Sequence, residues 1–314
     1  MAKVFGLCNM HDSPSLGKLT EKRPIGTVSF LGRYGLMDFA LSNFSNSGID
    51  RVGILVDKSM HSVISHVRDG SIWINNTKTG SQRIFFNENI PSKKFNTDIN
   101  NLLANRLHFE TEDVDYVVVA PAFFLMSIDF RKYIEKHIES GRDISIIYKK
   151  VKNAKEAFFN CDVLKVENHT VKDFSVNFGR AKEANISLET FIFTFKTFVQ
   201  LINHAREIST LFNIRDLVNY VATNNLYEVN AFSFDGYVAP ILTFDGHPPT
   251  PRSSAQKTSA PREATWTKNA PGIRPLAKRI GPAERCSGLS TLLVRPSGTP
   301  RPDTLRPRRC FTLF

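Results

Sequence analysis

The sequence predicts an α/β domain, a three-layer fold around a mixed, mainly parallel sheet, followed by a stretch that shares no core with it. Leu36, Phe39, Ala40 and Phe44 recur at helical spacing, and the apolar run from Arg51 to Val56 follows at once. Such a pair reads as a helix feeding a strand buried on both faces. Further along, Tyr116-Val-Val-Val-Ala is the continuous apolar run of a central strand. Hydrophobic residues make up 41% of 314, enough for one large core or two. Residue usage then changes abruptly near residue 245, which sets the expected boundary: a folded domain over 1–245 and a basic, Pro-rich disordered tail over 246–314.

The elements follow in order. Lys3 to Cys8 is the first strand, and a loop punctuated by Gly and Pro runs to Gly35. Met37 and Leu41 widen the apolar face of the helix that follows. Gly48 stands where a left-handed cap is cheapest. Met60 to Val67 reads as a short amphipathic helix. Its His61 and His66 do not have the i, i+4 spacing of a metal pair and read as solvated. A strand near Arg83 to Phe86 interrupts long irregular connections, and Leu102 to Phe109 reads as one helix. Glu110, Glu112, Asp113 and Asp115 read as a solvated acidic turn before the central strand, Asp115 to Pro121. Then come a helix (Phe130 to Ser140), a strand (Asp143 to Val151), a hairpin (Asp162 to Val176) and a strand (Ser187 to Phe195). Two helices, Thr197 to Ile208 and Ile214 to Thr223, precede a last strand, Tyr227 to Phe234, expected to close the sheet.

The formal charge of +11 would suggest a nucleic-acid partner if it were spread over the domain. It is not. From His247 onward there are 13 Lys and Arg against 3 Asp and Glu, which leaves 28 basic and 27 acidic residues before it. The same stretch holds 11 of the 16 prolines, 2 of the 25 phenylalanines and no tyrosine. Without aromatic interleaving it is a poor nucleic-acid arm, so no nucleic-acid partner is expected. Cys8, Cys161, Cys286 and Cys310 have no Cys-x-x-Cys spacing and read as reduced thiols. No apolar run reaches membrane-spanning length and Met1 to Cys8 is too short for a signal core, so a cytoplasmic protein is expected.

Four segments carry a resemblance: Leu19-Thr-Glu-Lys-Arg, Phe30-Leu-Gly-Arg-Tyr, Asp38-Phe-Ala-Leu-Ser-Asn and Asn46-Ser-Gly-Ile. Together they resemble the N-terminal signature of the glucose-1-phosphate adenylyltransferase (ADP-glucose pyrophosphorylase) family, and most of all its divergent D-type subunit in Gram-positive bacteria. The resemblance spans about Met1 to Ile241 and implies a Rossmann-like nucleotidyltransferase domain. It also implies a site whose groups are mostly replaced. The family's phosphate-cradling loop would place its glycine pair on Met10 and His11, a third glycine on Ser13 and its arginine on Ser15. The phosphate-neutralising lysine falls on Ile25 and a further arginine on Gly35. Thr97 lies in Asn96 to Asn100, where the family has a nucleotide and sugar-phosphate segment. The glucose-binding Glu-Lys pair falls on Val176 and Asn177, and the two Mg²⁺ carboxylates fall on Phe123 and Pro240. A hard cation needs oxygen ligands, which neither Phe nor Pro side chains supply.

The implied consequences are no catalytic residue, no metal and no cofactor, although Mg²⁺ serves the catalytic members. Lys22 and Arg23 survive, a basic pair that borders a sugar-phosphate activator site in the family and reads equally as a solvated turn. His11-Asp12-Ser13 reads as an ordinary polar turn rather than an acid–base group. The expectation is therefore a regulatory subunit in glycogen biosynthesis, partnered with a catalytic subunit in a hetero-oligomer and touched by a sugar-phosphate effector. The alternative is an autonomous enzyme making ADP-glucose from ATP and glucose-1-phosphate. After Ile241 the hexapeptide β-helix of the family is not found, and the stretch reads as an out-of-frame or artefactual terminus.

Overall fold

A computed structural model describes residues 2–68, 70–76, 78, 80–88 and 95–242. The stretch expected as a disordered tail, 246–314, lies outside the described residues. The chain opens with β1 (Val4–Asn9) and a loop holding a small hairpin, β2 (Ser29–Phe30) and β3 (Tyr34–Gly35). Then come α1 (Met37–Asn46), β4 (Arg51–Val56), α2 (Met60–Val67), β5 (Ser81–Phe86), α3 (Asp98–Ala104) and α4 (Arg106–Glu110). The central strand β6 (Tyr116–Pro121) leads through β7 (Phe124–Met126) to α5 (Arg131–Ser140) and β8 (Ile144–Val151). The hairpin β9 (Asp162–Glu167) and β10 (Thr170–Val176) is followed by the long strand β11 (Ala184–Thr194). The last elements are α6 (Phe195–Ile208), α7 (Ile214–Thr223), β12 (Val229–Ser233) and β13 (Val238–Pro240).

Nine strands form one sheet in the order β5-β4-β1-β6-β11-β8-β12-β10-β9, with a second pairing of β11 to β9. Only β10 and β11 run against the others, so the sheet is mixed and mainly parallel. Successive strand residues feed opposite faces, as the two-residue period requires. Cys8, Ile54, Val118 and Ile192 join α1, α2 and α5 in one core, through Phe44, Val63 and Tyr133. Leu7, Leu55, Val117 and Phe193 join α3, α4, α6 and α7 in the other, through Leu102, Phe109, Phe198 and Leu217. The three layers are thus helix, sheet and helix. Among the described residues no helix is long and apolar enough to cross a membrane.

The helix-to-strand turn after α1 forms as its residues dictate. Gly48 takes φ +75, a conformation that costs glycine little, and the Ile49 amide turns back to the Phe44 carbonyl at 3.0 Å. Phe44 is fully buried and stacks on Phe130 with ring centroids 5.3 Å apart.

Four expectations are corrected. The helix expected over Leu102 to Phe109 is two short helices broken at Asn105. Its Nδ2 donates to the Phe86 carbonyl (3.1 Å) and to the Asn101 carbonyl (3.0 Å). A short polar side chain competes with the helical ladder in this way. The last strand does not close the sheet: β12 is inserted between β8 and β10, and the edges are β5 and β9. The acidic turn is not wholly solvated, because the Glu112 side chain is only 6% exposed and meets Arg83 at 2.9 Å and Arg51 at 3.7 Å. Nor is His66 solvated; its Nε2 lies 2.6 Å from the Asp38 Oδ1.

Candidate functional site

The parallel strands β1 and β6 end side by side, and the Ala122 amide donates to the Asn9 carbonyl at 3.0 Å. Ligands of open α/β sheets sit beyond such strand ends. Here the loop from Met10 to Val28 covers them. Met10 is fully buried. A Cβ on Gly26 would lie 2.7 Å from its Cε and 3.0 Å from its Sδ, so the thioether occupies the floor of the loop. Ile25, at the expected place of a lysine, is buried beside it.

The turn expected at His11 and Asp12 forms, and the His11 side chain is buried within it. Its Nε2 lies 3.0 Å from the Asn101 Nδ2, and its Nδ1 faces the Asn96 carbonyl at 3.3 Å. The ring is held neutral. Burial lowers its pKa to about 4, outweighing the backbone contacts that favour the cation. The Ser13 hydroxyl turns back to the Met10 carbonyl at 2.8 Å, and Ser15 is exposed at the rim.

Phe123 and Pro240 are brought together. β13 pairs antiparallel with β7, Pro240 opposite Phe124, and the Ile241 amide donates to the Phe123 carbonyl at 2.9 Å. Phe123 is 2% exposed and its ring lies 4.8 Å from that of Phe124. The two positions that the resemblance assigns to metal carboxylates therefore lie on neighbouring strand ends, Phe123 buried and Pro240 half-buried, and neither side chain supplies an oxygen. Among the described residues no group of three His, Cys, Asp or Glu could hold a metal ion. The residues present do not fit Mg²⁺.

Of the sugar-binding positions, Val176 is 42% exposed, whereas Asn177 is buried and structural. Its Nδ2 reaches the carbonyls of Ala154 (2.9 Å), Ala157 (3.1 Å) and Phe158 (2.9 Å), and its Oδ1 accepts from the Gly179 amide at 3.0 Å. Asn177 thus staples the loop in which Phe158 and Asn160 hold φ +60. Thr97 caps α3, its Oγ1 accepting from the Asn100 amide at 3.2 Å. Lys22 and Arg23 are exposed.

Sequence reasoning missed the charged centre of this region. A cavity of about 370 Å³ is lined by Asp12, Ser15, Phe123, Phe159, Glu189 and Arg215, among others. Arg215 projects from α7 to Asp12 (3.2 Å), Asp162 (3.5 Å) and Glu189 (3.6 Å), with Asp216 at 3.9 Å. Among the described residues that line the cavity it is the only cation. Burial works against its charge, but the four carboxylates more than offset this and hold it protonated. Burial pushes the carboxyl of Glu189 up to about 8 and raises that of Asp162, and Arg215 opposes both. Glu189 enters from a bulge in β11 at φ +48. A phosphate entering here would meet carboxylates before any free cation. Asp98, buried under the loop, accepts from Asn9 Nδ2 (2.6 Å) and from the Ile214 amide (2.9 Å), and burial raises it to about 7.

The fold, a doubly covered mixed sheet with its cavity at the strand ends, is that of a nucleotidyltransferase domain. A profile of the nucleotidyl transferase family matches residues 15–220, and the chain belongs to that family. It is similar to a glucose-1-phosphate adenylyltransferase of Thermotoga neapolitana, 28% identical over 227 residues, which is 71% of this chain and 53% of that protein. It is also similar to the glycogen biosynthesis protein GlgD of Geobacillus stearothermophilus, 33% identical over 141 residues, 42% of this chain and 39% of that one. The chain thus spans about half or less of the length of these relatives. In fold it resembles a putative glucose-1-phosphate thymidylyltransferase from Bacillus anthracis, crystallised with sucrose. The TM-score is 0.56 at 14% identity, covering 77% of this chain and 90% of that one.

Proposed function

We propose that this chain is a catalytically degenerate, regulatory subunit that supports ADP-glucose synthesis in glycogen biosynthesis. The single observation that carries the reading is that buried Phe123 and half-buried Pro240, neither with an oxygen ligand, stand where both metal carboxylates are expected. Nucleotidyl transfer depends on positioning and on neutralising phosphate charge with metal and cations. Here the metal positions are apolar, Ser15 and Ile25 stand where phosphate-binding cations are expected, and Arg215 is held by carboxylates. The similarity to GlgD supports the same reading.

In this reading the partner is a catalytic subunit, and Lys22 and Arg23 meet a sugar-phosphate effector. A second reading, an autonomous ADP-glucose-forming enzyme, is favoured by the broader similarity to proteins named glucose-1-phosphate adenylyltransferase. One assay separates the two. The purified chain alone should make no ADP-glucose from ATP, glucose-1-phosphate and Mg²⁺, since each lost charge-stabilising group typically costs ~10²-fold or more. Added to a catalytic subunit, it should co-sediment and change the activator response. Turnover by the chain alone at the rate of a normal enzyme would favour the second reading.

A further inference from the structure

We infer that Asp38 and His66 form a proton-linked latch that fastens the segment from Pro24 to Gly35 onto α2. Asp38, at the start of α1, is 7% exposed and uses both oxygens. Its Oδ2 accepts from the Gly35 amide at 3.0 Å, and its Oδ1 lies 2.6 Å from the His66 Nε2 near the end of α2. Gly35 is pressed into this junction. A Cβ there would stand 2.8 Å from the Gly26 carbonyl and 2.9 Å from the His66 Nε2, so the backbone, the imidazole and the 3-10 turn Ile25–Thr27 meet without side-chain spacers. The segment is joined to Arg23 directly, so the latch also places the Lys22-Arg23 turn.

The charged group facing His66 is Asp38, from α1. The turn Ile25–Thr27, packed against α2, brings none, and His61 on the same helix is exposed. In the neighbouring hairpin Arg33 lies over the Tyr34 ring, 5.8 Å from its centre. The Cys8 thiol, which feels Asp38, stays neutral because burial, with Asp38 adding to it, pushes it up to about 12. The hydrogen bond to Asp38 raises the pKa of His66 above 6.5, against the effect of burial. A group whose pKa is raised in the closed state holds that state most firmly below its free pKa. The hold weakens as pH rises through the closed-state value. Neutral imidazole still donates from Nε2, so the latch loosens without disappearing.

The Gly35 amide is the reporter, because its acceptor is Asp38. Its hydrogen-exchange protection, corrected for intrinsic rate and compared with Val118 in β6, is followed by NMR from about pH 6 to pH 8.5 alongside the His66 ring shifts. The expected result is protection that falls through the His66 titration, by up to roughly tenfold for each unit that its pKa is raised. Val118 should not follow. His66→Gln keeps a donor but cannot titrate, and its Gly35 protection should be flat. A His66 pKa at or below 6.5 in the native chain would overturn the latch without any variant. So would the same slope in His66→Gln.

Discussion

The loop from Met10 to Val28 and the α1–β4 unit beside it are neighbours in the chain that answer different demands. In α1–β4 every position agrees with the fold: Phe44 and Leu41 fill the core, Gly48 turns the chain, and Val52 to Val56 enter the sheet. In the loop, the residues expected to meet phosphate have instead become part of the protein. Met10 and Ile25 are core, and His11 is a neutral buried ring. The difference is that α1–β4 is fixed by packing throughout, whereas in the loop only Met10, His11, Leu16, Thr20, Pro24, Ile25, Gly26 and Val28 are buried and Asp12, Ser13 and Ser15 line the cavity.

The comparison can be broken most severely on the scaffold side. Phe44→Ala should cost about 3–5 kcal/mol of stability, because the ring is fully buried against Phe130 and beneath Gly6. Urea unfolding monitored by far-UV dichroism would measure it, and a loss under about 1 kcal/mol would mean that the α1 packing is not as described.

On the loop side the sharpest probe is pH. His11 titrates near 4 when folded and near 6.5 when free. The unfolded chain therefore takes up the proton first, and stability should fall as pH drops from 6.5 towards 4. The loss is at most about 3 kcal/mol from this ring. His137 is buried with the same direction and value and adds to the slope. His11→Gln should flatten part of it. A stability profile unchanged by that variant would place His11 in water.

A smaller effect is expected at Asn177. Asn177→Ala removes donors from the carbonyls of Ala154, Ala157 and Phe158 and should cost about 1–3 kcal/mol. Asn177→Lys, which places the family's lysine there, should destabilise as well and yield no activity, because the buried space holds backbone carbonyls rather than sugar phosphate. The smallest change should come from Lys22→Ala with Arg23→Ala. Both side chains are exposed, so thermal stability should stay within about 0.5 kcal/mol while any response to a sugar phosphate is lost.

How much was legible follows from range. The strands and most helices rest on local periodicity, and the run at Tyr116 and the spacing from Leu36 to Phe44 were sufficient for β6 and α1. The break at Asn105 was not, because it depends on a side chain reaching carbonyls in another element as well as its own. Likewise the replaced positions Phe123, Val176, Asn177 and Pro240 could be named by resemblance. That Asn177 would become a loop staple could not. Arg215 gives no local signal: it lies on an amphipathic helix beside Asp216, and its partners Asp12, Asp162 and Glu189 arrive from distant turns and strands. The Asp38–His66 contact joins α1 to α2, and no spacing rule connects them.

In the proposed reading no oxygen ligand stands at Phe123 or Pro240 to hold a nucleotide-bound metal. Calorimetric titration of the chain with ATP, with and without Mg²⁺, tests it most directly. No saturable binding that depends on Mg²⁺ is expected, because Phe123 and Pro240 supply no oxygen ligand. Saturable, Mg²⁺-dependent binding that survives Arg215→Gln but is abolished by substitutions around Phe123 would contradict it.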